Sequence, residues 1–171
     1  IQIYDEDGKK TGEWRWYFEN GRIHSIENYK NNLADGDWID YNRSGELFKI
    51  GKYKKGVRTG QWRTYYDNGS LYSLITYDKV IRKGDLDRAV KPVYRYKDDA
   101  DMVKSGEMKI YYRNGELKQV KKFKKGKKSG EWKSYNENGI LIEQGNYKEG
   151  KKTGVWNYYD EHGELKNTET Y

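Results

Sequence analysis

A 24-residue repeat constrains this chain more than any other feature. A Gly followed two positions later by Trp opens a unit at Gly12, Gly36, Gly60, Gly130 and Gly154, and Gly106 opens one with Met108 in place of the Trp. Neighbouring units are 24 residues apart except between Gly60 and Gly106, where Gly84 divides the gap into one full step and a degenerate 22-residue unit, 84–105. With the opening Gly as position 0, Tyr recurs at +5 (Tyr17, Tyr41, Tyr65, Tyr111, Tyr135, Tyr159) and Gly at +9 (Gly21, Gly45, Gly69, Gly115, Gly139, Gly163). Leu or Ile stands at +11, from Ile23 to Leu165, and an aromatic at +17 (Tyr29, Tyr53, Tyr77, Phe123, Tyr147, Tyr171). A unit this short cannot bury an apolar face alone, so units must stack on their neighbours. Residues 1–171 therefore read as one repeat array, with a candidate joint at 84–105 that contains the sole proline, Pro92.

Each unit carries the chemistry of a β-hairpin. Asn-Gly pairs at Asn20-Gly21, Asn68-Gly69, Asn114-Gly115 and Asn138-Gly139 are the residues a two-residue type I′ turn prefers, because both central positions need positive φ. Aromatic and β-branched residues flank them, which favours strands. The expected fold is all-β: tandem hairpins forming an elongated, twisted, single-layer antiparallel meander. A two-residue turn pairs positions that sum to 17, so Tyr +17 faces the Gly at zero. Strict alternation then puts Trp +2, Leu +11 and Tyr +17 on one face and Tyr +5 on the other; a single β-bulge would break that parity. The expected structural core is an aromatic ladder of Trp14, Trp38, Trp62, Trp132 and Trp156 with Tyr29, Tyr53, Tyr77, Phe123 and Tyr147.

Composition explains why the core must be aromatic. Leu, Ile, Val and Phe make up 29 of 171 residues while 36% are charged, a balance typical of disordered chains. The 18 Tyr and 6 Trp offset it, since each aromatic side chain buries ~150–250 Å². No cysteine is present, which excludes disulfides and thiolate metal sites. No apolar run approaches the ~18 residues of a spanning helix. The chain begins at Ile1 rather than Met, read as a trimmed N-terminus; cytoplasmic and exported locations both stay open, export being slightly favoured.

No constellation for catalysis emerges, and none for a cofactor or metal. His24 and His162 lie in the first and last units. Asp98, Asp99 and Asp101 crowd the degenerate unit, but their spacing fits no EF-hand loop, and a solvated loop is the expected reading. Charge is more informative: residues 1–50 carry −3 and residues 104–133 carry +8. Lys121, Lys122, Lys124, Lys125, Lys127 and Lys128 form the sharpest cluster. It is a candidate polyanion-binding site, set against the plainer role of exposed lysines that keep sheet edges from pairing.

The pattern G-x-W-x-x-Y-x-x-x-G-x-L, closed by Tyr and a Lys-Gly-Lys-x-x-Gly joint, resembles the bacterial variant of the MORN repeat. GKKTGEWRWYFENGRI, GVRTGQWRTYYDNGSL and GKKSGEWKSYNENGIL carry the resemblance. It implies a string of β-hairpins acting as a non-enzymatic scaffold for protein–protein interaction, in some members antitoxin-like, with self-association or membrane attachment in others. It implies no catalytic residues. The expected partner is a protein, including a second copy of the chain. Anionic lipid bound through 104–133 is the alternative, and nucleic acid is disfavoured because the repeat already uses the aromatics as core.

Overall fold

The computed structural model describes residues 3–77 and 105–171, in two compact units. The first holds β1 (Gly12–Tyr17), β2 (Ile23–Lys30), β3 (Leu33–Tyr41), β4 (Leu47–Lys54) and β5 (Val57–Tyr65). The second holds β6 (Leu71–Tyr77), β7 (Ser105–Tyr111), β8 (Leu117–Lys124), β9 (Lys127–Lys128), β10 (Gly130–Tyr135), β11 (Leu141–Lys148), β12 (Lys151–Tyr159) and β13 (Leu165–Thr170). Within each unit, consecutive strands pair antiparallel, and the short β9 extends the edge of β8 that β10 also pairs. No helix occurs among the described residues. The joint expected at 84–105 and the acidic knot Asp98, Asp99 and Asp101 lie outside the described residues, apart from Ser105 at the start of β7.

The hairpins keep the expected pairing sum through most of their length, for a different reason. Gly12 faces Tyr29, Trp14 faces Glu27 and Trp16 faces Ser25, but Tyr17 faces Ile23. His24 is the extra residue of a bulge. The shift recurs in the hairpins of Gly36, Gly106, Gly130 and Gly154. It compensates a longer loop. The Phe18 N–H donates to Arg22 C=O at 2.8 Å and the Gly21 N–H to Phe18 C=O at 3.0 Å, which encloses Glu19, Asn20 and Gly21. Gly21 alone of these has positive φ, at 80°. The turn is therefore not type I′; it is a wider arc closed by a left-handed Gly, and the bulge returns the register to 17.

Two consequences correct the sequence reading. Leu/Ile +11 lies opposite Tyr +5, so it shares the face of Tyr +5 and not that of Trp. The type I′ signature moves to the joints between hairpins. There Asn31 and Asn32 (52° and 63°), Lys55 and Gly56 (49° and 78°), Lys125 and Gly126 (52° and 77°) and Glu149 and Gly150 (51° and 91°) all have positive φ. Each pair is a two-residue loop, between Lys30 and Leu33 for example.

The opening Gly marks a second irregularity. Between β4 and β5, Ile50 faces Arg63 but Lys52 faces Thr59, so Gly60 and Gln61 are accommodated without partners of their own on β4. The positive φ there, 63° at Gly60, is one that L side chains rarely adopt. The bulge lays the indole of the next unit onto the previous hairpin. A Cβ on Gly51 would stand 2.1 Å from the Trp62 ring, and one on Gly145 2.2 Å from that of Trp156.

The ladder is continuous within each unit. Trp14, Tyr29, Trp38, Tyr53 and Trp62 follow one another at centroid separations of 5.8, 6.1, 5.0 and 5.0 Å. Phe123, Trp132, Tyr147, Trp156 and Tyr171 do so at 6.0, 4.6, 5.1 and 6.3 Å. Most contacts are edge-to-face, the arrangement the ring quadrupole favours. Tyr77 is buried and paired with Gly106.

Candidate functional site

One rule of the repeat emerges only from the folded chain. A basic side chain two residues before the opening Gly sits over the ladder: Lys10 is 4.3 Å from the Trp14 ring and 5.0 Å from Tyr29. Arg58 is 4.5 Å from Trp62. Lys128 covers Trp132 at 4.5 Å and Tyr147 at 4.8 Å, and Lys152 covers Trp156 at 4.1 Å and Tyr171 at 5.0 Å. These cation–π contacts explain why the joints carry Lys or Arg. Burial opposes the Lys152 charge, but bonds from its ammonium to the Tyr158 and Tyr171 hydroxyls outweigh it and raise its pKa. In the unit of Gly36 the position is Ala34, and Trp38 differs accordingly. Its indole N–H donates to the Asp40 carboxylate at 3.0 Å, whereas Trp62 and Trp156 donate to the backbone carbonyls of Lys52 and Asn146. Burial raises the Asp40 pKa, against the lowering effects of the Trp38 bond and the Lys49 and His24 charges.

The six-lysine cluster is dispersed by the fold. Lys121 and Lys128 lie on the ladder face, with Lys121 5.4 Å from the Trp132 ring. Lys127 donates to Glu149 at 2.9 Å. Lys122, Lys124 and Lys125 are exposed, and Lys125 sits in the left-handed turn position with its N–H donating to Ser105 Oγ. Between the turns at Gly126 and Gly150 an open groove of about 460 Å³ is lined by Lys121, Phe123, Lys127, Lys128 and Trp132. Trp132, the groove's aromatic floor, is half-buried, while Trp14, Trp38, Trp62 and Trp156 are 1% to 4% exposed.

The opposite face of the first unit carries a second candidate surface. Ile26, Ile39 and Ile50 stand in register on successive strands, with Arg15 and Arg63 at the ends of the row. All three are half-buried, and Tyr17 beside them is 55% exposed. In the second unit the same row reads Leu74, Lys109, Val120, Lys133, Gln144 and Asn157.

The family model described as the MORN repeat variant matches residues 10–31, 58–79, 104–125 and 128–149, together 88 of the 171 residues. The chain belongs to the MORN repeat variant family. No curated protein matches the chain. MORN repeats mediate interactions with proteins or membrane lipids, and their all-β fold is generally non-catalytic. No helix among the described residues is long and apolar enough to cross a membrane. His24 packs against Phe18 at 4.7 Å, and His162 faces Glu161 at 3.6 Å in a loop whose N–H donates to Asp160.

One MORN-like element escaped the sequence reading. The Asp5 N–H donates to Lys9 C=O, the Gly8 N–H to Asp5 C=O, and Tyr4 bridges Lys10. This is the same wider arc as at Phe18–Arg22, Asn42–Glu46, Tyr112–Glu116, Asn136–Ile140 and Asp160–Glu164, and Tyr4 ends the ladder 5.1 Å from Trp14. YDEDGKK matches YDEHGEL at 159–165 in its Tyr, Asp, Glu and Gly. That self-similarity was the available signal.

Proposed function

We propose that this MORN-type chain is a non-enzymatic scaffold whose principal partner is a protein, docked on the Ile26–Ile39–Ile50 row of the first unit with Tyr17, Tyr41 and Leu47 around it. The row's half-exposed apolar side chains carry this reading, because contiguous exposed apolar surface on a folded chain marks interaction sites. In the matching row of the second unit Lys109, Lys133, Gln144 and Asn157 interrupt and follow Leu74 and Val120, so an unbroken apolar row is not a demand of the repeat. A toxin-neutralising, antitoxin-like role in a bacterium is the finer form, supported by the family resemblance. The test is affinity capture from the source cell with wild-type chain, Ile39→Glu and the control Asn157→Glu on the second unit. Recovery of one protein by wild type and control but not by Ile39→Glu, with unchanged circular dichroism, supports the reading. Equal recovery by all three refutes it.

A second reading draws on the groove at Trp132. The basic segment 104–133 binds a polyanion, acidic phospholipid among the candidates, through Lys121, Lys127 and neighbouring lysines. Protein or self-association and anionic surfaces are thus served by different faces.

A further inference from the structure

We propose that Asn138-Gly139 is a site of spontaneous covalent modification. In the folded chain Asn138 deamidates to aspartate and isoaspartate ahead of Asn20 and Asn114, which precede glycine at the same position of their loops. An Asn followed by Gly is prone to this reaction because no side chain on the second residue shields its backbone nitrogen. The Gly139 nitrogen attacks Asn138 Cγ. The new N–Cγ bond forms, the Cγ–Nδ2 bond breaks, and the amide proton leaves with Nδ2 as ammonia. Water then opens the succinimide ring at either carbonyl, giving aspartate or its β-linked isomer. A neutral amide becomes a carboxylate, and no oxidant or cofactor enters.

What separates the Asn-Gly pairs is whether the Asn side chain is held. Asn20 Oδ1 accepts from the Arg22 N–H at 3.1 Å, and its Nδ2 donates to Arg43 C=O in the next loop at 3.2 Å. Asn114 makes the equivalent bonds, with Glu116 at 3.0 Å and Glu137 at 2.9 Å. Asn68 is engaged as well. A held Asn must break such bonds before its Cγ can swing onto the glycine nitrogen. In the loop of Gly139 both partners belong to another residue. Asn136 Oδ1 accepts from the Ile140 N–H at 3.0 Å, and its Nδ2 donates to Glu161 C=O at 3.4 Å. The Asn138 side chain is exposed and makes no hydrogen bond with the described residues.

The repeat shows why. Where position +6 is aromatic, as at Phe18 and Tyr112, Asn +8 holds the loop. Where +6 is Asn42 or Asp160, that side chain accepts from the +10 N–H, of Glu46 at 3.0 Å and Glu164 at 2.9 Å, and +8 is Ser44 or His162. Only the unit of Gly130 combines an Asn or Asp at +6 with Asn-Gly at +8 and +9, so Asn138 is left over. The glycine nitrogen does not discriminate. Gly21, Gly115 and Gly139 each donate to the +6 carbonyl at 3.0 Å.

The experiment follows each Asn by peptide mass spectrometry while the full chain stands in mildly alkaline buffer made with heavy-oxygen water, which marks deamidation that precedes digestion. A parallel sample in urea gives the rates of the unfolded chain, where local sequence alone decides. The expected native rate at Asn138, divided by its unfolded rate, is about tenfold above the same ratio at Asn20 and Asn114. Equal ratios at the three sites, or a lower one at Asn138, overturn the proposal, and this comparison needs no variant. Asn136→Phe places at +6 the aromatic found at Phe18. It is expected to return the loop bonds to Asn138 and slow its conversion to the level of Asn20. A fast Asn138 that this substitution leaves unchanged, with the circular dichroism of the wild type, overturns the exchange of bonds on which the proposal rests.

Discussion

Trp62 and Trp132 occupy the same position of the repeat, yet their surroundings set different roles. Trp62 lies flat against Gly51, capped by Arg58 and flanked by Tyr53. Trp62→Ala is expected to cost ~3–5 kcal/mol, as truncations of large buried aromatics do. Trp132→Ala, with part of its ring already in solvent, is expected to cost clearly less; chemical denaturation of the two variants compares them, and equal losses would count against the exposure argument. Asp40 supplies a pH signature. Its folded pKa is raised, chiefly by burial, so its ionisation disfavours the folded state. Stability therefore falls as pH rises from the ordinary Asp value, ~3.9, through the folded value, and the cost is complete above it. Asp40→Asn keeps an acceptor for the Trp38 indole and loses the charge. It is expected to melt above wild type at neutral pH, with the gap closing below the ordinary Asp range; thermal melts across pH show whether it does.

At the scale of elements, the turns exchange the roles their residues suggest. Asn-Gly looks like a type I′ turn, but the Asn20 side chain accepts from the Arg22 N–H and donates to Arg43 C=O in the next loop, and Asn114 does the same with Glu116 and Glu137. These asparagines tie successive loops together along one rim, with a wider arc made affordable by the bulge at +12. The two-residue turns fall instead to the joints, where Lys55, Lys125 and Glu149 adopt left-handed φ. A side chain other than Gly or Asn there carries strain of ~1 kcal/mol. Lys125→Asn is thus expected to raise stability by up to ~1 kcal/mol, read as a higher denaturation midpoint with unchanged slope. A lower midpoint would mean that Lys125 makes a compensating contact in the fold.

Across the whole molecule, stability should be local, since each hairpin touches its neighbours and little else. Trp156 joins β11, β12 and β13 through Tyr147, Gly145 and Tyr171. Trp156→Ala is expected to lower hydrogen-exchange protection in β10 to β13 while β1 to β4 keep theirs. A uniform fall along the chain would instead reveal a single cooperative block. The two candidate surfaces divide in the same way: the apolar row belongs to the first unit and the cationic groove to the second.

The repeat, read from Gly12 to Tyr171, determined the hairpins from Gly12 onward, their order and the pairing of Gly at zero with an aromatic at +17. All of these follow from residue spacing, because one unit's local chemistry is printed six times over. The turn types and the face of Leu +11 were decided by tertiary structure. A bulge adds one residue and costs little, so nothing in HSIEN or FKIGK announces it, yet it reverses every side chain beyond it. The groove was equally hidden. Six lysines in a row of eight look alike in sequence, and only the sheet sends Lys128 over a Trp ring, Lys127 to Glu149 and Lys121 to the edge of a half-open indole.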